Sequence, residues 1–140
     1  MGSRRKGRIV AFQAIFAWEA SHPSREEVLE FLWLDQERKV RLGDDTAMFA
    51  RYIVSGTLEY LEQIDSAIKA QLEHWDFTRL ARVDLAILRI STYALLFQTD
   101  IPATVTINEA VDIAKQYGSD ESYRFINGIL DAIRKSKAGR

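Results

Sequence analysis

The feature that most constrains the fold is the segment of residues 79–97, in which large apolar side chains recur at steps of both three and four. Such spacing covers most of the circumference of an α-helix, and a helix that is apolar on nearly all sides must be enclosed by other elements. Burial of its ten large apolar side chains contributes roughly 15–30 kcal/mol before the cost of ordering the chain is subtracted. We therefore predict a central helix in an all-α domain.

Length and composition bound the classes of protein to consider. A chain of 140 residues predicts one domain, spanning residues 1–140, with a substantial core. The absence of cysteine excludes a disulfide framework, a thiolate metal site and a cysteine nucleophile. No apolar run reaches the length of a membrane span, and the N-terminus lacks the apolar core of a signal peptide. We expect a cytoplasmic protein that does not associate with membranes.

Helical periodicity predicts the elements at the start of the chain. A basic arm, residues 1–8, precedes a first helix over about 8–20. Ser24 and Glu27 have the spacing of a capping box, in which a hydroxyl and a carboxylate satisfy free backbone amides, so they open a second helix.

The middle of the chain is predicted to be a loop followed by a long helical segment. Residues 35–45 are rich in charge and predict a loop. Residues 45–72 keep a helical rhythm, with a bend or break expected at Gly56 or Asp65.

Two more helices are predicted after the central one. Thr106 and Glu109 have capping-box spacing, and Gly118 is placed to end that helix. Ser119 opens the last helix, within which Gly128 is expected to permit a close approach between helices. The total is about seven helices.

Positive charge is concentrated at the two ends, although the net charge is −1. The start carries Arg4, Arg5, Lys6 and Arg8, and the end carries Arg134, Lys135, Lys137 and Arg140. The first cluster is compatible with a solvated arm, a membrane anchor or a nucleic-acid-binding arm. A membrane anchor is disfavoured because the cations precede the apolar residues instead of facing across from them.

Catalysis is poorly supported. His22 and His74 are far apart, and neither has a second ligand at helical spacing. No glycine-rich loop follows a strand, and the carboxylates near helix starts are explained by capping and by the helix dipole. We predict a protein that is not an enzyme and that holds no metal or cofactor.

Three segments resemble the NusB family of bacterial antitermination factors. The first, residues 4–18, reads RRKxR followed by AFQAIFxW. The second, residues 75–96, reads WxxxRLxxVDxxILRxxxYxLL. The third and most specific, residues 100–131, reads DIPxxVxINEAVxIAKxYG followed by SxxFINGILD. Together they span nearly the whole chain in the family's order.

The resemblance implies a fold and a role. The fold is all-α with two packed helical halves, at about 9–74 and 75–136. The role is to bind the single-stranded boxA element of nascent RNA jointly with NusE, a small-subunit ribosomal protein. The resulting complex helps RNA polymerase resist termination, notably on ribosomal RNA operons, and catalyses no reaction.

The resemblance also carries over site residues. Those expected to contact RNA are Arg4, Arg5, Lys6, Arg8, Gln13, Phe16, Glu121, Arg124 and Phe125. For both phenylalanines, base stacking competes with core packing as the role. Lys6 stands where the family has arginine, and Gly7 is expected to delay the helix start.

The family's NusE surface maps to Arg79, Arg82 and Asp84, for which ion pairing within the chain is an equal alternative. Arg89 and Glu109 are expected to serve structure, Glu109 by closing the capping box. The alternative function is an accessory or adaptor module acting in trans with an RNA-modifying enzyme, since a NusB-like module precedes the catalytic part of some RNA cytosine methyltransferases. A homodimer that hides the basic surface is a further expectation left open.

Overall fold

The computed structural model describes residues 2–31, 35–73 and 76–138, and within these ranges the chain is helical without a strand. The predicted all-α class is confirmed. The helices are α1 (Gly2–Ser21), α2 (Arg25–Leu29), α3 (Gln36–Leu42), α4 (Asp44–Glu59), α5 (Leu61–Lys69), α6 (Arg82–Phe97), α7 (Ala103–Tyr117) and α8 (Ser122–Ala138), with a 3-10 turn at Phe77–Arg79 before α6. No helix in the described ranges is long and apolar enough to cross a membrane.

Helix α6 is the central element that the sequence predicts. Every residue from Leu85 to Leu95 is buried, and α1, α4, α5, α7 and α8 all pack against it. The helix begins at Arg82, later than predicted, because the backbone is extended at Leu80 after a 3-10 turn in which Asp76 accepts a hydrogen bond from the Thr78 amide at 3.0 Å.

The N-terminal basic segment is not a separate arm. Helix α1 begins at Gly2, so the expected start near Arg8 and the expected delay at Gly7 are both wrong. Gly7 is buried against α4, where an added Cβ would lie 2.6 Å from Cδ2 of Phe49. Gly7 thus permits α1 and α4 to approach closely, and the basic residues are held on a packed helix.

The predicted loop at residues 35–45 is also wrong, because it contains α3. Asp35 caps this helix by accepting a hydrogen bond from the Arg38 amide at 2.8 Å. The extra helix raises the total to eight within the described ranges.

The break in the long segment falls at Tyr60, between α4 and α5, and not at Gly56 or Asp65. Gly56 instead faces the ring of Tyr93, which occupies the space that a side chain would need. Asp65 accepts hydrogen bonds from Arg89 and stays within α5.

The capping predictions have mixed outcomes. The Ser24–Glu27 box is confirmed, with reciprocal hydrogen bonds of 3.1 and 3.0 Å, and Gly118 does follow the last residue of α7. The second box is wrong, because α7 begins at Ala103, one turn before Thr106. Gly128 meets no atom within 4 Å of an added Cβ, so its predicted role in close packing is wrong too.

His74, Trp75 and Arg140 lie outside the described residues. The division into two halves, 9–74 and 75–136, stays a prediction.

Candidate nucleic-acid interface

The first two turns of α1 present their cations in two different settings. Arg4 and Lys6 are exposed, whereas Arg5 and Arg8 are partly covered by α7. The Arg4 guanidinium lies 4.2 Å from the centroid of the Phe49 ring, a cation–π contact with α4. Lys6 has no hydrogen bond or ion pair with any described residue.

Arg5 is held by two carboxylates of α7. Its Nε and Nη2 donate to Oε1 and Oε2 of Glu109 at 3.1 and 2.6 Å, and Nη2 also donates to Oδ2 of Asp112 at 2.7 Å. This fork geometry is the strongest form of a guanidinium–carboxylate contact. The hydrogen bond with Glu109 raises the pKa of Arg5, and the same bond lowers the pKa of Glu109.

Arg8 completes the cluster from the next turn of α1. Its Nη1 lies 3.6 Å from Oε1 of Glu109, and its guanidinium lies 5.4 Å from the Phe49 ring centroid. Burial lowers the pKa of Arg8. Glu109 is therefore the shared partner of two arginines and does not close a capping box, although its expected structural role holds.

Gln13 and Phe16 lie further along α1. The Gln13 side-chain oxygen accepts a hydrogen bond from Nη2 of Arg38 in α3 at 3.3 Å. Phe16 is half-buried and packs against the core.

The second predicted RNA-contacting segment is the start of α8. Arg124 is 68% exposed, donates from Nε to the Tyr123 hydroxyl at 3.0 Å and lies 3.6 Å from the Glu121 carboxylate. The Tyr123 and Glu121 contacts both raise the pKa of Arg124, the hydrogen bond to Tyr123 being the larger cause. Phe125 is half-buried against the core.

The last turn of α7 lies between these two segments. Tyr117 contacts Phe12 of α1, with ring centroids 5.3 Å apart, and Lys115 lies 5.0 Å from the Tyr123 ring of α8. Glu109, which holds Arg5 and Arg8, is two turns earlier, or about 12 Å along the helix axis. The basic turns of α1 and the start of α8 are thus linked through one helix.

The predicted NusE-binding residues cluster at the start of α6. Arg79 and Arg82 are exposed and form no ion pair with a described residue, so the alternative of internal pairing finds no support there. Oδ1 of Asp84 is buried without a hydrogen-bond partner among the described residues.

The C-terminal cations are mostly satisfied within α8. Arg134 and Lys135 contact Asp131 at 2.6 and 3.1 Å, and Lys137 donates to the Leu95 carbonyl at 2.6 Å.

Sequence reasoning missed the three groups that organise the α1 cluster: Glu109 as an ion-pair partner, Asp112 and the Phe49 ring. Arg5 and Glu109 are 104 residues apart, and no local spacing rule reports such a contact. The third motif contains the segment Asn108-Glu109-Ala110, which singles out Glu109 as a residue of interest. It does not indicate which residue Glu109 contacts.

Comparison with known proteins places this geometry in a family. The sequence model of the NusB family matches residues 5–135. The transcription antitermination protein NusB of Treponema pallidum (strain Nichols) is 51% identical over 133 residues, covering 95% of this chain and 93% of that protein. The solved T. maritima NusB structure aligns with a TM-score of 0.83 at 42% identity, covering 94% of this chain and 90% of the other. A chain in a solved complex of antitermination factors NusB and NusE with dsRNA aligns with a TM-score of 0.79 at 26% identity, covering 97% and 98%.

Proposed function

Because the chain belongs to the NusB family, we propose that it is a transcription antitermination factor that binds the boxA element of nascent RNA together with the ribosomal protein NusE. The observation that carries this proposal is the exposed pair Arg4 and Lys6 beside the Arg5–Arg8 cluster on α1. Guanidinium and ammonium groups without carboxylate partners are free to meet phosphates, which supply most of the affinity for a single strand.

The paired arginines contribute differently. Arg5 and Arg8 already meet Glu109, so phosphate contact requires exchange of a carboxylate for a phosphate oxygen. Arg5 also keeps part of its fork open to solvent, which permits that exchange. Gln13 and Phe16 would extend the contact along α1.

The start of α8 supplies the second part of the proposed RNA surface. Arg124 is exposed and braced by Tyr123, so its guanidinium is held outward with little rotamer freedom to lose on binding. Glu121 lies beside it and would disfavour phosphate at that edge. Phe125 packs against the core in this structure, which favours support over stacking as its role.

NusE is proposed to bind at the start of α6, through Arg79, Arg82 and Asp84. The exposed Arg79 and Arg82 side chains support this placement, because neither forms an ion pair with a described residue and both are open to a partner. The similarity to a chain of a solved NusB–NusE–dsRNA complex supports both partners. Through them the protein would join the RNA polymerase antitermination complex in the cytoplasm, and it would catalyse no reaction.

A titration tests the proposal directly. Fluorescently labelled single-stranded RNA carrying boxA, and a scrambled RNA of equal composition, are titrated with the protein in the presence and absence of NusE. We expect preference for boxA, and tighter binding when NusE is present, because two linked surfaces then hold one strand. Equal affinity for both RNAs in both conditions would contradict the proposal and favour an accessory or adaptor module acting in trans with an RNA-modifying enzyme.

A further inference from the structure

A cleft of about 910 Å³ opens between α1, α4 and the connection from α6 to α7. Its apolar wall comes from Met48, Tyr52, Ile101, Pro102 and Val105, and charged side chains line much of the rest. Tyr52 is 59% exposed, an unusual setting for a large ring, and Met48 beside it is exposed as well. A concave site in which an apolar wall meets convergent polar groups is the usual form of a ligand site.

Gln98 is the neutral amide among the residues that line this cleft. Its backbone is satisfied, because its amide donates to the Ala94 carbonyl and its own carbonyl accepts from Ile101, both at 3.0 Å. Its side-chain amide makes no hydrogen bond to a described residue, although the residue is only 8% exposed.

The Gln98 amide is nevertheless not fully enclosed, and Gln98 is one of the residues that line the cleft. Within the described ranges, the fully enclosed side-chain atoms without a partner are Asp84 Oδ1 and Thr92 Oγ1, and neither atom of the Gln98 amide is among them. An amide that is buried, unpaired and accessible from a cleft offers two donors and an acceptor to whatever enters.

The charges around the cleft indicate which part of a nucleotide fits. Three arginines line it, namely Arg4, Arg5 and Arg8, and so do three carboxylates, those of Asp45, Asp100 and Glu109. The formal charge is therefore balanced, and the interior has no surplus of positive charge to hold a phosphate. Apolar walls, an exposed ring and a neutral amide suit an uncharged planar group.

We propose that the cleft receives one unstacked nucleobase of the bound RNA strand, hydrogen-bonded by the Gln98 amide and flanked by the Tyr52 ring. Arg4 lies at the rim beside Phe49, where it would meet the phosphate next to that base. Unpaired bases of single-stranded RNA are commonly recognised in this way, by edge hydrogen bonds and by packing against aromatic side chains. The inference rests on the proposed function and adds to it a base-reading site outside the start of α8.

Abasic scanning of the RNA tests the inference. Wild-type protein with NusE is titrated with boxA RNAs in which each nucleotide in turn lacks its base. At one position we expect affinity to fall by roughly tenfold, as for the loss of hydrogen bonds to a buried amide together with ring packing. The Gln98→Leu variant should bind intact boxA RNA about tenfold more weakly than wild type does. Removing the base at the sensitive position should not weaken its binding further.

The matched control is Gln63→Leu, which makes the same change at an exposed site on α5 and should bind every RNA as wild type does. Salt dependence shows whether Gln98 contacts the base directly. Loss of a neutral amide removes no phosphate contact, so a direct contact predicts an unchanged slope of log affinity against log salt. A changed slope would indicate that the substitution has displaced the arginines. If Gln98→Leu lowers the melting temperature, the abasic scan is repeated with Tyr52→Leu, which changes an exposed side chain of the same cleft.

Three results would overturn the inference. One is the same abasic profile in wild type, Gln98→Leu and Tyr52→Leu. The second is weaker capture of NusE by Gln98→Leu without RNA, which would make the cleft a protein-binding site. The third is displacement of the RNA by nucleoside 5′-monophosphates at micromolar concentration, which would indicate a site for free nucleotides. Failure of wild-type protein to prefer boxA is a different outcome, which contradicts the proposed function itself.

Discussion

Two arginines of this protein each contact two carboxylates, in opposite surroundings. Arg89 of α6 is 6% exposed and donates to Asp65 at 3.0 and 2.9 Å and to Glu19 at 2.7 Å. Arg5 of α1 has a similar set of contacts with Glu109 and Asp112, but its side chain is 41% exposed. The chemistry of the two clusters is the same, and their access to water differs.

That difference decides what each cluster is able to do. The hydrogen bonds of Arg89 join three helices, α1, α5 and α6, in a place that phosphate cannot reach. Removing one member of such a buried set leaves uncompensated charge, which is strongly destabilising. Around Arg5, water and phosphate oxygens are able to replace the carboxylates at small cost. Arg89 therefore serves the fold, and the α1 cluster is available for a ligand.

The largest expected effect comes from Arg89→Met. Because Asp65 and Glu19 would lose their shared partner, we expect the free energy of unfolding to fall by about 3 kcal/mol, measured by urea denaturation. The exposed Arg82→Met, on the same helix, should change it by less than about 0.5 kcal/mol. Equal effects of the two substitutions would break the distinction between buried and exposed arginines.

A smaller effect is expected from Glu109→Gln. The loss of a partly exposed ion pair should lower the free energy of unfolding by about 1 kcal/mol. Because Arg8 would be released and Arg5 would keep Asp112 as its one carboxylate partner, RNA affinity should rise, and its slope against log salt should steepen by about 0.7 for each additional phosphate contact. Asp112→Asn, which removes an exposed partner of Arg5 and leaves Arg8 paired, should shift both quantities in the same direction by a smaller amount. Weaker RNA binding by Glu109→Gln would show that the carboxylate positions the arginines and does not compete with phosphate.

The pH dependence of the same pair sharpens the comparison. The pKa of Glu109 is lowered by its hydrogen bond with Arg5, so the pair stabilises the folded state above the carboxyl group's ordinary pKa of 4.5. This contribution is lost as pH falls through the lowered pKa. The difference in unfolding free energy between wild type and Glu109→Gln should stay constant above about pH 5 and shrink below it. A difference that grows toward low pH in urea titrations would contradict this assignment.

The sequence predicts best those helices that carry a closely spaced apolar pattern or a local capping motif. The apolar spacing of residues 79–97 located α6, and the Ser24–Glu27 box located α2. The spacing at Thr106 and Glu109 was misleading, because Pro102 starts α7 a turn earlier and leaves Glu109 on the face that meets α1.

The candidate site was predictable in its residues but not in their roles. Arg4, Arg5 and Arg8 are evident as a cluster in the sequence, yet nothing near them indicates that Arg5 and Arg8 are already paired while Arg4 is not. Their partners Phe49 and Glu109 come from distant helices, and helix packing decides which side chains meet. The 104-residue separation of Arg5 and Glu109 lies outside any spacing rule.

The central claim is that the exposed cations of α1 bind phosphate, whereas the buried Arg89 serves the fold. Its most direct test is the salt dependence of boxA RNA binding by the double variant Arg4→Gln, Lys6→Gln, measured with NusE present. Each phosphate contact on a single strand contributes about 0.7 to the slope of log affinity against log salt. We predict that the slope becomes shallower by about 1.4 while the melting temperature falls by only a few degrees, because neither side chain has a carboxylate partner among the described residues and the Arg4–Phe49 contact is the one that is lost. A wild-type slope in the double variant would contradict this prediction.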